Sequence, residues 1–512
     1  MNKTKKAIII GSGAGGLVAS AYLSKAGFQV EVLEKAPQIG GYLHTFSLNN
    51  YHFDPGIHYI GECHKNGLVD NIFSGIDLDV ENLFCEMDTD GFDIYRFPGL
   101  EVKRCKGSDA YRDRLVELFP KETKGIDRFF EHLKLFVQLQ SKMMNPSFQL
   151  SDLSLLCKIL SDLPGFLKIK YSNYGSYLGH ITKNKRLKAV LSANLGCIGL
   201  PPSKISTILG LALFNFYNNG AYFPKRGGNG ICDAIKEVAE SKGAVFRTKS
   251  EVKRILIKNE KTIGVVLKNG EQINADIIIS AIEPAITFGQ LIEYKDLPKE
   301  LCHKVIHMKP SVGAFYVFLG LKRDLKKHGL GAFNIWDHYT FDMEEIFKPA
   351  LTGVIGNQFS LFSSFNSLKD NTGSLAPAGC STLEIISFVP YEAFSRWDGL
   401  ASNKRGQEYQ ELKEKVGEKI VNTFIKNHPD IVGDIEVKNF ASPVTNSFWV
   451  NAVKGGAYGP AMCMSQTMGG RFTTKTCFKN LFLAGSGVFG AGVPACFVSG
   501  MTAAKIAENS IK

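Results

Sequence analysis

The sequence predicts an α/β protein in which a domain built on a parallel sheet is interleaved with a mixed α+β region. Three observations carry this reading: a strand–glycine-loop–helix–strand unit near the start, a helix followed by β-rich runs at 222–282, and a strand, glycine loop and helix at 480–512. Three pieces this far apart can share one domain only if the chain leaves it and returns twice. The parallel-sheet domain is therefore assigned 1–75, 221–290 and 440–512, and the second domain 76–220 and 291–439.

The first piece, "KKAIIIGSGAGGLVASAYLSKAGFQVEVLEK", opens with a short β-branched run, as a buried parallel strand does. Gly11, Gly13 and Gly16 then fall on the G-x-G-x-x-G positions. The first suits a tight turn, the second lets backbone approach a pyrophosphate, and the third permits close helix–strand packing. The following helix presents free N–H groups and a positive dipole end to phosphate. Glu34 lies 18 positions after Gly16, where a carboxylate can accept from a ribose hydroxyl. Strand, loop, helix and acid together describe a Rossmann-type dinucleotide site.

The choice between nicotinamide and flavin rests on resemblance. "APQIGGYLHTF" places Gly40 and Gly41 just after Glu34, similar to the second glycine doublet of flavoproteins of the amine-oxidase and phytoene-desaturase type. Many members carry arginine after the doublet; here the residue is Tyr42. In the middle piece, a Gly-Gly turn and an amphipathic helix precede three β-rich runs separated by "NEK" and "KNGE" hairpin signals. The flavoprotein pattern places Val252 there at the adenine side, and "ADIIISAI" resembles the strand returning to the sheet. In the last piece, "LFLAG" brings Gly485 to the pyrophosphate, and Gly492-Val493-Pro494 opens a helix aimed at the flavin's pyrimidine end. The implied FAD-binding set is Gly11, Gly13, Ala14, Gly15, Gly16, Glu34, Lys35, Gly40, Gly41, Gly56, Val252, Gly485, Gly492, Val493 and Pro494.

"FDPGIHYIGE" is similar to a segment of the all-trans-retinol 13,14-reductases (retinol saturases) and their carotenoid-isomerase and phytoene-desaturase relatives. The blocks "LKAVLSANLGCIGLPPSK", "GAYFPKRGGNG", "STLEIISFVPYEAFSRWDG" and "SPVTNSFWVNAVKGGAYG" agree, in the expected order, over nearly the whole chain. The resemblance implies an FAD-dependent oxidoreductase that saturates, desaturates or isomerises a C=C bond of a lipophilic polyene. It runs the segment at Asp54-Pro55-Gly56 alongside the flavin, and Gly56 would let backbone pass close to a flat ring. His58, Tyr59 and Tyr458 become the candidate proton donors, although a buried histidine satisfied by the core is an equal reading of His58. His52 is read as structural. No metal is expected, since His-x-Asp-x3-His matches no metal motif and flavin chemistry needs none.

A chain of 512 residues with 44% hydrophobic and 21% charged residues is ordinary globular material. No apolar run reaches the roughly 18 residues of a spanning helix. A net charge of +11, spread along the chain without a nucleic-acid motif, favours an anionic membrane surface. Basic amphipathic segments at 125–144 and 153–171, the first striped with Ile126, Phe129, Phe130, Leu133, Phe136 and Val137, suit either core or bilayer contact. "KRDLKKHGLG" (322–331) reads as a solvated loop. Eleven scattered cysteines with no C-x-x-C pair fit a reducing compartment, the cytoplasm, with peripheral membrane attachment. No second dinucleotide loop is read for a nicotinamide, so an external electron donor or acceptor is expected.

Two other readings share the scaffold. An amine-oxidase-like flavoprotein with a polar substrate could use the tyrosines of "GGAYG" and "HYIG" as an aromatic wall, but the whole-chain block order argues against it. A non-catalytic prenyl- or lipid-binding protein of the Rab GDP-dissociation-inhibitor type would not need the complete glycine loop, Glu34 and Gly485 together.

Overall fold

In a computed structural model describing residues 4–143, 172–429, 431, 435–467 and 470–511, the apolar run after the lysines becomes strand β1 (Lys6–Ile10). Its partners are parallel on both sides. Among the described residues the sheet has five strands, ordered Leu481–Leu483, Ile277–Ser280, β1, β2 (Gln29–Leu33) and Val245–Arg247. Ala7, Ile8, Ile9 and Ile277 to Ile279 are fully buried, which is why these strands read as unbroken apolar runs.

Helix α1 (Ala14–Lys25) covers one face and crosses the last helix, Val493–Asn509, at close range. Small residues permit this. A Cβ on Gly500 would lie 2.2 Å from the Gly15 carbonyl oxygen, and one on Gly16 would lie 2.1 Å from that of Gly11.

The three β-rich runs of the middle piece resolve differently from the sequence expectation. The first and third each divide between two sheets. Val245–Arg247 and Ile277–Ser280 join the parallel sheet, while Val252–Lys258, Lys261–Leu267 and Gln272–Asn274 form a separate antiparallel meander. The first break is at Lys249, in the left-handed region at φ 53°, whose N–H donates to Ala36; Ser250 N–H then donates to Glu34. Both hairpin turns fall where the sequence placed them.

A second sheet has seven strands among the described residues, ordered Ile435–Ala441, Ala314–Leu321, Ser381–Phe388, Leu361–Ser364, Asn334–Asp337, Asp93–Phe97 and Leu100–Arg104. It is antiparallel except where Asn334–Asp337 meets Asp93–Phe97. Helices Ser108–Leu118, Thr123–Met143, Tyr174–Ile181 and Thr207–Phe216 share a core with one end of it. Within Thr123–Met143, Ile126, Phe129 and Leu133 are buried in that core, with Phe130 and Phe136 against it, so this stripe serves packing. The companion segment 153–171 lies outside the described residues. The 322–331 loop is solvated, with Leu325 anchored in the interior. No described helix is long and apolar enough to cross a membrane, and every described cysteine is free.

Candidate functional site

The glycine loop is fixed by Glu34. Its Oε2 accepts from Ser12 N–H at 2.9 Å and Ser12 Oγ at 2.7 Å, and its Oε1 accepts from Ala36 N–H at 2.9 Å. The acid expected at a ribose therefore ties the loop to the end of β2, while its Oε1 keeps a further lone pair. Helix α1 begins at this loop with neither a side-chain cap nor an acid in its first turn, and the helix Val493–Asn509 begins the same way. Uncapped N–H groups at two helix starts form an anion-binding arrangement.

Both helix starts open on a cavity of about 650 Å³. Gly11, Gly13, Ala14, Gly15, Glu34, Lys35, Gly40, Gly41, Gly56, Val252, Gly485, Gly492 and Val493 line it. Two members of the expected set do not. Gly16 is held away from it against Gly11, in the packing role its position predicts, and Pro494 faces an adjoining cavity. A Cβ on Gly13 would meet nothing within 4 Å, so protein packing does not demand glycine there, whereas a ligand pressed against the loop would. These features fit a dinucleotide. Gly485, Gly487 and Gly490 repeat the G-x-G-x-x-G spacing, which the sequence reading passed over. They do not build a separate site, because Gly485 borders this cavity and Gly490 its neighbour. Gly56 differs in its reason from the expectation: the group a Cβ would strike, at 2.6 Å, is Tyr42. Tyr42 itself donates to the Gly456 carbonyl at 2.9 Å.

The adjoining cavity, about 400 Å³, shares Tyr42, Pro55, Gly56, Tyr316, Tyr458 and Gly492 with the first. Its other walls are mainly aliphatic and aromatic, including Leu209, Leu213, Phe216, Trp336, Phe362 and Met462. Its edge includes Phe489, which is 59% exposed. His58, Tyr59 and Tyr458 all line it. The two tyrosine hydroxyls are already engaged, Tyr59 donating to Asp93 Oδ2 at 3.0 Å and Tyr458 to the Gly196 carbonyl at 2.7 Å. Burial holds both phenols well above their ordinary pKa. His58 Nδ1 lies 2.9 Å from Glu384 Oε2 but off the hydrogen-bonding direction, and its Nε2 has no partner among the described residues. Burial, reinforced by the Lys369 charge, holds this imidazole down at about 3, so it is neutral at physiological pH. His52 sits apart, its Nδ1 2.8 Å from Ser47 Oγ.

Behind His58 lies a buried polar cluster that sequence reasoning missed. Lys369 Nζ donates to the His58 carbonyl at 2.9 Å, to Ser364 Oγ at 2.6 Å and to Asn334 Oδ1. Burial pulls this amine down to about 7, but three acceptors require three N–H bonds, which only the ammonium carries. Asn334 passes the interaction on, its Nδ2 donating to Asp93 Oδ1 at 3.0 Å. Asp93 also accepts from Trp336 Nε1 and Tyr59. An all-acceptor carboxylate is thereby matched to the buried cation, although burial raises Asp93 to about 6. Glu384 Oε1 accepts from Asp54 N–H at 2.8 Å; Asp54 Oδ1 accepts from Thr45 Oγ1 at 2.6 Å and Gly228 N–H at 2.9 Å. Burial and their mutual repulsion push Asp54 up to about 7, and burial pushes Glu384 up to about 8. The signal available in the sequence was Glu384 itself, a lone acid inside the apolar strand Ser381–Phe388.

Comparison with known proteins agrees with this geometry. A family model described as flavin containing amine oxidoreductase matches residues 14–507. The all-trans-retinol 13,14-reductase of Danio rerio is 28% identical over 526 residues, covering 98% of this chain and 86% of that protein. The 4,4'-diapophytoene desaturase (4,4'-diapolycopene-forming) of a Methylomonas species is 24% identical over 523 residues, covering 99% and 96%. Among solved structures, an oxidoreductase from Methanosarcina mazei shares the fold with a TM-score of 0.67 at 17% identity, over 98% of this chain and 100% of that one.

Proposed function

Because the chain belongs to the flavin-containing amine oxidoreductase family, we infer that it is an FAD-dependent oxidoreductase acting on a carbon–carbon bond of a lipophilic polyene, a retinoid or carotenoid. The observation carrying this reading is the apolar cavity that shares a wall with the glycine-lined one. An amine would leave its charge unpaired among those apolar walls, whereas a hydrocarbon chain loses nothing there.

When bound, FAD accepts or supplies a hydride equivalent at its flavin ring. The residues lining the larger cavity hold it, with the two uncapped helix starts and the glycine loop taking its phosphates. Tyr42 and Tyr458 line both cavities and would border cofactor and substrate alike, and the apolar walls would exclude water from the reacting bond. His58 gives or takes the accompanying proton, since Tyr59 and Tyr458 already donate elsewhere. The exposed Phe489 at the cavity edge and the net charge of +11 support loading from an anionic membrane surface, with a separate electron donor or acceptor.

The test is the visible spectrum of the FAD-loaded protein during anaerobic reduction and then addition of all-trans-retinol or lycopene. A flavin band that bleaches and returns on polyene addition is the expected outcome of reduction. A protein that takes up no flavin overturns the enzyme reading.

A further inference from the structure

Behind the apolar cavity, Glu384 Oε2 and both ring nitrogens of His58 are buried without a hydrogen-bond partner among the described residues. Lys369 is the cation that faces three buried carboxyls, Glu384, Asp93 and Asp54; Asp93 is tied to it through Asn334, and Asp54 and Glu384 are joined through the Asp54 backbone N–H, with a neutral imidazole beside Glu384. Glu384 is 1% exposed and Asp54 fully buried. Three buried carboxyls with one cation between them cannot all stay ionised, and Asp93, which accepts from Asn334, Trp336 and Tyr59, is held as the carboxylate. Asp54 takes two strong donors on Oδ1, from Thr45 and Gly228, which suit the ionised form. The proton therefore resides chiefly on Glu384, whose Oε2 faces His58 Nδ1.

We propose that Asp54 and Glu384 form a buried pair retaining one proton, and that His58 is the route by which this proton reaches the polyene. The proposal deepens the polyene-oxidoreductase reading and rests on it. In reduction, a turn of the His58 ring brings Nδ1, 2.9 Å from Glu384 Oε2, into line with it, and Glu384 releases its proton to Nδ1 as Nε2 releases one to a substrate carbon. That carbon forms its C–H bond with the π electron pair, while the adjacent carbon takes the hydride equivalent from reduced FAD. The imidazole ends neutral with its proton on Nδ1 and Glu384 ends as a carboxylate; between turnovers Nε2 takes a proton from water and Nδ1 returns its own to Glu384, which restores the starting tautomer, and desaturation runs the transfers backwards. His58 touches the substrate, and Glu384 and Asp54 are positioning residues that act through it. The titratable groups facing the pair are His58 and Lys369, with Asp93 beyond Lys369 and the Cys232 thiol beside Asp54.

The experiment compares full-length, FAD-loaded wild type with Glu384→Gln, and with Asp54→Asn should the first variant fold poorly. Two quantities are read: the rate at which all-trans-retinol or lycopene reoxidises the reduced flavin from pH 6 to 9, and the melting temperature over the same range without substrate. The wild-type rate should fall as pH rises through about 8. In the variant it should be about a hundredfold lower and flat with pH, with polyene binding to the oxidised protein unchanged. A variant retaining the wild-type rate and pH profile overturns the route. A variant whose melting temperature tracks wild type in parallel across the range overturns the pair. If neither polyene reoxidises the wild-type flavin, the reduction reading fails and the route falls with it, while the melting comparison still decides the pair.

Discussion

At the scale of single residues, two glycines of one loop make opposite predictions. Gly13→Ala adds a methyl that meets no protein atom within 4 Å, so the melting temperature of the flavin-free protein should hold. The methyl would enter the larger cavity, and flavin affinity should drop about tenfold or more, read from flavin absorbance per protein after dialysis. Gly16→Ala drives its methyl to 2.1 Å from the Gly11 carbonyl and should cost about 1–3 kcal/mol of stability whether or not flavin is present. The proton donors separate as clearly. His58→Gln should lower the reaction rate about a hundredfold with polyene binding kept, whereas Tyr59→Phe and Tyr458→Phe, whose hydroxyls are committed elsewhere, should stay within about tenfold. The pH dependence has a definite sign. Glu384 is raised from an ordinary value near 4.5 to about 8, so its contribution to stability is full below its unfolded pKa and is lost as pH rises through about 8. The stability difference between wild type and Glu384→Gln should therefore shrink from pH 5 to pH 9, measured by thermal unfolding. His58, depressed to about 3, acts in the opposite direction, its contribution being lost as pH falls from its unfolded value through about 3.

At the scale of elements, the crossing of α1 and the helix Val493–Asn509 sets the distance between two uncapped helix starts. Gly500→Ala would put its methyl 2.2 Å from the Gly15 carbonyl and spread the pair. Both starts border the larger cavity, so stability and flavin affinity should fall together, by about 1–3 kcal/mol in unfolding and measurably in flavin titration. The element types here were legible because periodicity and turn residues mark them: a β-branched run before a glycine loop, hairpins at Asn259-Glu260 and Asn269-Gly270, proline in the first turn at Pro494. The partition of strands between sheets was not legible. Nothing local distinguishes Val245–Arg247, which edges the parallel sheet, from Val252–Lys258, which starts the meander; the break between them is fixed by hydrogen bonds from Lys249 to Ala36 and from Ser250 to Glu34, far away in sequence.

At the scale of the whole molecule, the apolar cavity ends at an exposed Phe489, and the chain carries a charge of +11. Vesicles containing anionic lipid should sediment the protein and neutral ones should not, and Phe489→Ser should weaken the binding; equal binding to both vesicle types would remove the electrostatic part of the membrane reading. The sequence by itself determined the dinucleotide site, because a phosphate cradle needs strand, glycines, helix and acid within about thirty consecutive residues, so its chemistry is written locally. It also brought out His58, Tyr59 and Tyr458, which tertiary structure gathers on one cavity wall. Only the tertiary structure showed which of the three is left without a hydrogen-bond partner among the described residues, His58, the two tyrosines donating elsewhere. Asp54, Asp93, Lys369 and Glu384 come from four separate stretches, and only Glu384, the lone acid of its strand, stands out by itself. Their pKa values belong to burial and to one another, and those exist only once the seven-stranded sheet has closed around them.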